Sequence, residues 1–373
     1  MLPGVGTSSG RRPPPARSWK VAGTAGFVPE PEPRELSDRT AILRRVSDER
    51  LIWNSRIPSR SPVQDFAVID VDGRPLVVCA DWGNRVWTWD LLADEWVERP
   101  LAELGDGLYR EFQHVAVEVL NGRTVLATGG PRQNLALWDL FGGQLLSPPP
   151  LDRAGVHALA AAQVGGQLTL LAGAGYPDVY SWDPSRVGPA VRAAPRLSGH
   201  RDDMSGVAVA RLDGRHLVVS GGYDRRLVLS DLESGELIVE LWPGGVPRAV
   251  KLATVGGRPV VVAASDAGET SDRGEVWIFD PVTAEPVGAA LAGHENRILA
   301  LDVAAIGDRT IAVTGSEDGT ARIWDLAAAR QLGAPLTGHR DEIFSVVIAT
   351  VRGRRVALTA GRDGRVRVWD LTP

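Results

Sequence analysis

The amino-acid sequence predicts an all-β chain made of seven consecutive, similar sheet modules, and three observations carry that prediction. A Trp-Asp pair or a degenerate copy of it recurs seven times along 373 residues. A polar turn marker, mostly Gly-Arg, recurs in step with it. Forty-two glycines and 26 prolines supply many tight turns and leave few stretches long enough for helices.

The pairs stand at Trp89-Asp90, Trp138-Asp139, Trp182-Asp183, Trp324-Asp325 and Trp369-Asp370, with degenerate copies at Ser230-Asp231 and Phe279-Asp280. Their steps of 49, 44, 48, 49, 45 and 45 residues suit one four-stranded module each. The turn marker falls at Arg74, Arg123, Gln167, Arg215, Arg258, Arg309 and Arg354. It lies 15 residues before the pair in six copies and 21 before it in the fifth, so an insertion within 265–274 enlarges one loop. Each marker follows a turn such as Asp213-Gly214 between two β-rich runs, which predicts a hairpin, because tight turns that match strand twist need positive φ. A third strand ends at each pair. In Arg365-Val366-Arg367-Val368-Trp369 apolar and charged residues alternate with period two, so one face is buried and the other wet.

On these residues the chain resembles the WD-repeat β-propeller family over about 48–373. The Gly-His pair that opens a typical family repeat is present at Gly199-His200, Gly293-His294 and Gly338-His339, each histidine 15 residues before its marker. Ser59, Leu108, Asp152 and Pro243 occupy that place in the other copies. The resemblance implies a single closed seven-bladed propeller of four-stranded antiparallel blades. Because the seventh repeat ends at its third strand, family practice is for an N-terminal strand to complete the last blade, which removes the open edge. Leu51-Ile52-Trp53-Asn54-Ser55-Arg56 is the strand-like candidate. Residues 1–47, with Pro13-Pro14-Pro15 and the alternating Pro and Glu of 29–33, read as a Pro/Arg-rich, mostly disordered segment. A short helix over 37–46 is expected at its end.

The resemblance also implies hydrogen-bonded structural tetrads: His294, Thr314, Asp318 and Trp324 in the sixth repeat, His339, Thr359, Asp363 and Trp369 in the seventh. The fourth repeat keeps His200, Ser220 and Asp224 and has Ser230 for the tryptophan. Such groups satisfy one another, so no hydroxyl is free to act as a nucleophile. One aspartate per repeat, at a fixed place in a turn, points to turn capping and not to a shared metal site. Asp266, Glu269 and Asp272 in the fifth-repeat insertion lack a calcium-loop spacing and read as a solvated excursion. No zinc, P-loop or dinucleotide pattern is visible, so no catalytic residue, metal or cofactor is expected.

A net charge of −5 argues against a general nucleic-acid binder. Cys79 is the single cysteine, set in an apolar run, so no disulfide is expected. With no signal-peptide core and no apolar run of membrane length, a cytoplasmic chain is expected. The predominance of arginine, alanine, glycine and proline fits a GC-rich bacterial genome.

Recognition is expected at loops on one rim, namely the turns between second and third strands and the loops before each first strand. The partner-binding candidates are Trp82, Arg132, Tyr176, Arg201, Met204, Tyr223, Arg297, Glu317, Arg340 and Arg362, a set rich in hot-spot residue types. The function expected is a non-enzymatic protein- or peptide-binding scaffold or sensor, acting as a monomer. Two other classes fit less well. A propeller hydrolase or lactonase would need ligands converging on the central channel. An RNA adaptor would use the basic stretch Arg11, Arg12, Arg17 and Lys20.

Overall fold

The structure is a computed structural model that describes residues 50–102, 112–131, 133–147, 155–174, 178–184, 197–266 and 273–372. Twenty-eight strands form seven four-stranded antiparallel sheets, the blades of a closed propeller, and no helix occurs among the described residues. The segment 1–47, the helix expected at 37–46, Arg132, Tyr176, Glu269 and Asp272 lie outside the described residues.

The inner strands are Val63–Val71, His114–Leu120, Val156–Val164, Met204–Leu212, Pro247–Val255, Ile298–Ile306 and Ile343–Val351. Each packs on the inner strands of both neighbours, so the seven form a cycle with no first or last member. The predicted hairpin turns are present. Asp213 and Gly214 have φ of 50° and 81°, a pair of left-handed conformations that a two-residue turn of this hand requires.

Ring closure follows the predicted route. Leu51–Arg56 pairs antiparallel with Arg365–Asp370, with Trp53 opposite Val368 and Ser55 opposite Val366. Two backbone bonds extend the ladder at its ends, Ile57 N–H to Gly364 O at 3.1 Å and Asp370 N–H to Arg50 O at 2.8 Å. The Trp96 indole on the outer strand of blade 1 donates to Ser55 Oγ at 2.8 Å, tying the added strand to the first blade. Beneath it, Ile57, Phe66, Cys79, Trp87 and Trp89 share one core with Val347, Leu358, Val366 and Val368 of the last blade. Fully burying a side chain such as Ile57 contributes on the order of 2 kcal/mol, so this seam holds on packing as well as on the ladder.

Two carboxylates on inner strands bridge three blades each. Asp65 accepts from the Val115 N–H of blade 2 at 3.0 Å and from Ser345 Oγ of blade 7 at 2.8 Å. Asp302 of blade 6 pairs with Lys251 of blade 5 at 2.9 Å and accepts the Ile348 N–H of blade 7 at 2.7 Å. Counted back from the hairpin, the positions equivalent to Lys251 and Asp302 are Ala67, Ala116, Ala160, Ala208 and Val347. This ion pair therefore stands in an otherwise apolar layer, where each charge depends on the other.

Deleting residues 1–46 should leave the melting temperature unchanged, whereas deleting 1–58 should lower it by about 10 °C or more; equal melting temperatures would refute closure by this strand. Lys251→Met should lower stability by about 3 kcal/mol or more because Asp302 keeps its buried charge, and adding Asp302→Leu should recover part of that loss. Urea midpoints for the two variants check this, and an unperturbed midpoint in the single variant contradicts it.

Candidate functional site at the mouth of the ring

The two loop sets singled out in the sequence meet at one end of the propeller. In four blades the residue after the second strand donates its backbone N–H to the loop before the inner strand: Trp82 to Pro62 O, Tyr223 to Asp203 O, Glu317 to Arg297 O and Arg362 to Glu342 O, at 2.9–3.0 Å. Turn and loop therefore form one surface in each blade.

Beneath that surface lie the tetrads. In blade 6 the Trp324 indole donates to Thr314 Oγ1 at 2.9 Å, Thr314 meets His294 Nε2 at 2.7 Å, and His294 Nδ1 meets Asp318 at 2.8 Å. Blade 7 repeats the chain through Trp369, Thr359, His339 and Asp363 at 2.9, 2.8 and 3.1 Å. In blade 6 one proton arrangement satisfies every link: indole to hydroxyl, hydroxyl to Nε2, Nδ1–H to carboxylate; in blade 7 the Arg367 guanidinium also lies 2.6 Å from His339 Nδ1. The hydroxyl proton is engaged, and a nucleophilic role has no free group to work with.

Blade 4 lacks the indole and keeps the rest of the chain. His200 still meets Ser220 at 3.0 Å and Asp224 at 3.0 Å, while the buried Arg226 guanidinium bonds Asp224, Glu240 and the Gly199 carbonyl. In blade 7 Arg367 makes the matching bonds to Asp363 and the Gly338 carbonyl, from a place two residues further along its strand.

Burial lowers the pKa of His294 and His339, against the opposing pull of Asp318 and Asp363, so both rings are held neutral. For Asp224, Asp318 and Asp363 burial alone would raise the pKa. Hydrogen bonds from the paired histidines override it, helped by Arg226 on Asp224, Thr320 on Asp318 and Arg367 on Asp363, and hold all three well below the usual carboxylate range. The same carboxylates accept the backbone N–H of the next loop: Arg201 at 2.8 Å, Glu295 at 3.1 Å and Arg340 at 3.4 Å. The tetrad thus fixes the backbone of three exposed loop residues.

A continuous belt of polar and aromatic side chains runs over this end from blade 4 through blade 7 to blade 1. Arg248 of blade 5 grips Asp266 through Nε and Nη2 at 3.0–3.3 Å and bonds the Tyr223 hydroxyl of blade 4. Burial raises the pKa of Tyr223, with Arg248 opposing. Arg297 lies 4.0 Å from Asp266. The pKa of Glu317, half-buried in blade 6, is raised first by burial and then by the nearby charge of Glu342, with Arg297 opposing. Arg362 pairs with Glu342 at 3.3 Å and lies 5.5 Å over the Trp82 ring, which is itself stacked on Phe344 at 6.2 Å and 8°.

Of the ten predicted contact residues, Trp82, Tyr223, Arg297, Glu317 and Arg362 fall on this belt, and Arg201 and Arg340 are exposed beside it. Trp82 settles against the neighbouring blade and keeps 42% of its surface open. Met204 is a correction: it is fully buried, packed with Ala158, Leu171, Val179 and Val207 in the seam between blades 3 and 4. As the first residue of an inner strand it points into the core and offers a partner nothing. Asp266 is likewise committed to Arg248, and no cluster of metal-ligating side chains occurs among the described residues.

Sequence reading missed Arg248 and Phe344. Six inner strands carry a bulge between their first and third residues, and the extra residue is Gln64, His157, Ser205, Arg248, Leu299 or Phe344. A bulge re-aims its side chain out of the period-two pattern; in blades 5 and 7 that brings Arg248 and Phe344 to the turn residues of the mouth. Only the fixed offset of seven residues from the end of each inner strand could have marked them. The aspartates of the repeated pairs sit at the opposite end of the blades and cap turns as expected: Asp90, Asp139, Asp231, Asp280, Asp325 and Asp370 each accept a backbone N–H two or three residues on.

Residues 285–325, which hold the outer strand of blade 5 and the first three strands of blade 6, and 330–370, which hold the outer strand of blade 6 and the first three strands of blade 7, match the family model for the WD domain, G-beta repeat. The chain is also similar to the WD40 β-propeller domain of Doa1, with 17% identity over 87% of this chain and 97% of that one and a TM-score of 0.62, a likeness of fold. No curated protein matches the chain. Together with seven blades and two complete tetrads, the repeat match and this likeness support a WD-repeat β-propeller.

His339→Ala should cost about 1–3 kcal/mol, more than His157→Ala; equal urea midpoints would contradict this. Unfolded histidines, with ordinary values near 6.5, take up protons that the folded His294 and His339 refuse. Their contribution is therefore complete above that value and is lost as pH falls through it. The wild-type urea midpoint should drop between pH 7 and pH 5, and His339→Gln should have a lower midpoint at pH 7 and a shallower drop. An identical drop in both proteins would show that the histidine is not the titrating group.

Proposed function

We propose that the chain is a non-enzymatic scaffold or sensor that binds a protein or peptide at the belt around this mouth, working in the cytoplasm of a bacterium. One observation carries the reading: Trp82 is large, aromatic and 42% exposed, yet it is stacked on Phe344 with the Arg362 guanidinium 5.5 Å from its ring centre. Held by these contacts, an indole loses little conformational freedom when a partner covers it, and tryptophan and arginine are the residue types that dominate interface energetics. Around it, exposed Arg201 and Arg340 and partly exposed Tyr223, Arg297 and Glu317 form a polar rim. WD-repeat propellers generally serve as platforms for protein partners, and the spent hydroxyls of the tetrads support the same view against a hydrolase.

Peptides selected from a random display library on the purified wild-type chain provide the probe. They should bind Trp82→Ala/Arg362→Glu at least about tenfold more weakly, equivalent to about 1.4 kcal/mol, and should bind Arg123→Glu, at the opposite end of blade 2, unchanged. Equal affinity for the wild type and the double variant would remove the belt as the binding site.

A further inference from the structure

Most carboxylates of the mouth have a partner within the protein. Arg248 forks onto Asp266 at 3.0–3.3 Å, Arg362 reaches Asp341 at 3.6 Å and Glu342 at 3.3 Å, and Arg85 holds Asp81 at 3.2 Å. The tetrad carboxylates Asp224, Asp318 and Asp363 are engaged by their histidines. Glu317 differs. Among the described residues its carboxylate takes part in no hydrogen bond or ion pair. Charged neighbours act on it through space: Arg297 and Arg248 favour its ionised form, Glu342 and Asp266 oppose it, and together with burial the opposition prevails.

The backbone that carries Glu317 is pinned. Its own N–H donates to Arg297 O at 3.0 Å, the Asp318 N–H donates to Ser316 Oγ at 3.1 Å, and the Gly319 N–H donates to Ser316 O at 3.2 Å. Asp318 is tied in turn to His294 at 2.8 Å. A half-buried carboxylate therefore stands on a fixed turn of blade 6, between the Arg248 fork of blade 5 and the Arg362–Glu342 pair of blade 7.

A partner that covers the belt takes water away from this carboxylate, and a charge stripped of water without a counter-charge is strongly destabilising. Turning Arg248 or Arg362 toward it would strand Asp266 or Glu342 instead. Exposed Arg201 and Arg340 make no comparable demand, because water still reaches them at the rim. From this we infer that the partner bound at the mouth is a peptide segment carrying a lysine or arginine, and that this side chain sets its cation on the Glu317 carboxylate. The inference rests on the mouth being the binding surface and adds the chemistry that a partner brings to it. Trp82 supplies apolar contact, and Glu317 selects for charge.

Peptides selected on the wild-type chain allow a double-mutant cycle with the full-length protein. Each lysine or arginine of a selected peptide is replaced in turn by norleucine, and binding is measured to wild type and to Glu317→Gln. One replacement should weaken binding to wild type about tenfold or more and leave binding to Glu317→Gln unchanged. Glu317→Gln should itself bind the original peptide more weakly than wild type does. Trp82→Ala reads the surface separately: a peptide that binds it as tightly as wild type is not seated at the mouth, and both readings fall. Weaker binding to Trp82→Ala, combined with selected peptides that lack a basic residue or with equal norleucine losses in wild type and Glu317→Gln, would keep the mouth as the binding surface and overturn the cation.

Discussion

Closure is the constraint on which the rest of this structure depends. A blade presents two flat faces, and each is buried only by a neighbour, so no blade is finished until the ring is. The contact that finishes it is short: six residues, Leu51–Arg56, laid along Arg365–Asp370, with Trp96 reaching across to Ser55 and a shared apolar seam underneath. Were that strand to leave, the last blade would expose its third strand and the first would lose part of its floor. Residues more than 300 positions apart in the chain thus become dependent on one another.

Within the closed ring most polar side chains are consumed by architecture. Aspartates at one end cap turns, Asp65 and Asp302 bridge inner strands, and the histidines of blades 4, 6 and 7 link a buried hydroxyl to a carboxylate. That last network has a second effect, because its carboxylates also hold the backbone of Arg201, Glu295 and Arg340 at the mouth. Stability and recognition are coupled there by geometry: the groups that satisfy the blade interior also set the positions of loop residues that a partner would meet. The side chains that combine exposure with positions fixed by their neighbours lie in the belt from Tyr223 to Trp82.

Much of this was legible in the sequence. The blade count followed from a repeated pair, the closing strand from its position upstream of the first repeat, and the tetrads from residue types at fixed offsets. Features that occur once were not legible. Lys251 and Asp302 replace small apolar residues in two adjacent blades and acquire meaning only when the blades are side by side. The inner-strand bulges shift alternation by one residue, which is why Met204 falls inside the core while Arg248 and Phe344 reach the mouth. The sequence places Trp82 in a turn, but its stacking on Phe344 with 42% of its surface open depends on the neighbouring blade.

Native-state hydrogen exchange measures the central claim most directly. If the ring is one cooperative unit, the ladder amides of Leu51–Arg56 and Arg365–Asp370 exchange with the same opening free energy as those of Leu217–Gly221 in blade 4, on the opposite side of the disc. Exchange of the 51–56 and 365–370 amides at markedly lower free energy, with blade 4 still protected, would show that the seam opens by itself and that closure is not what holds the propeller together.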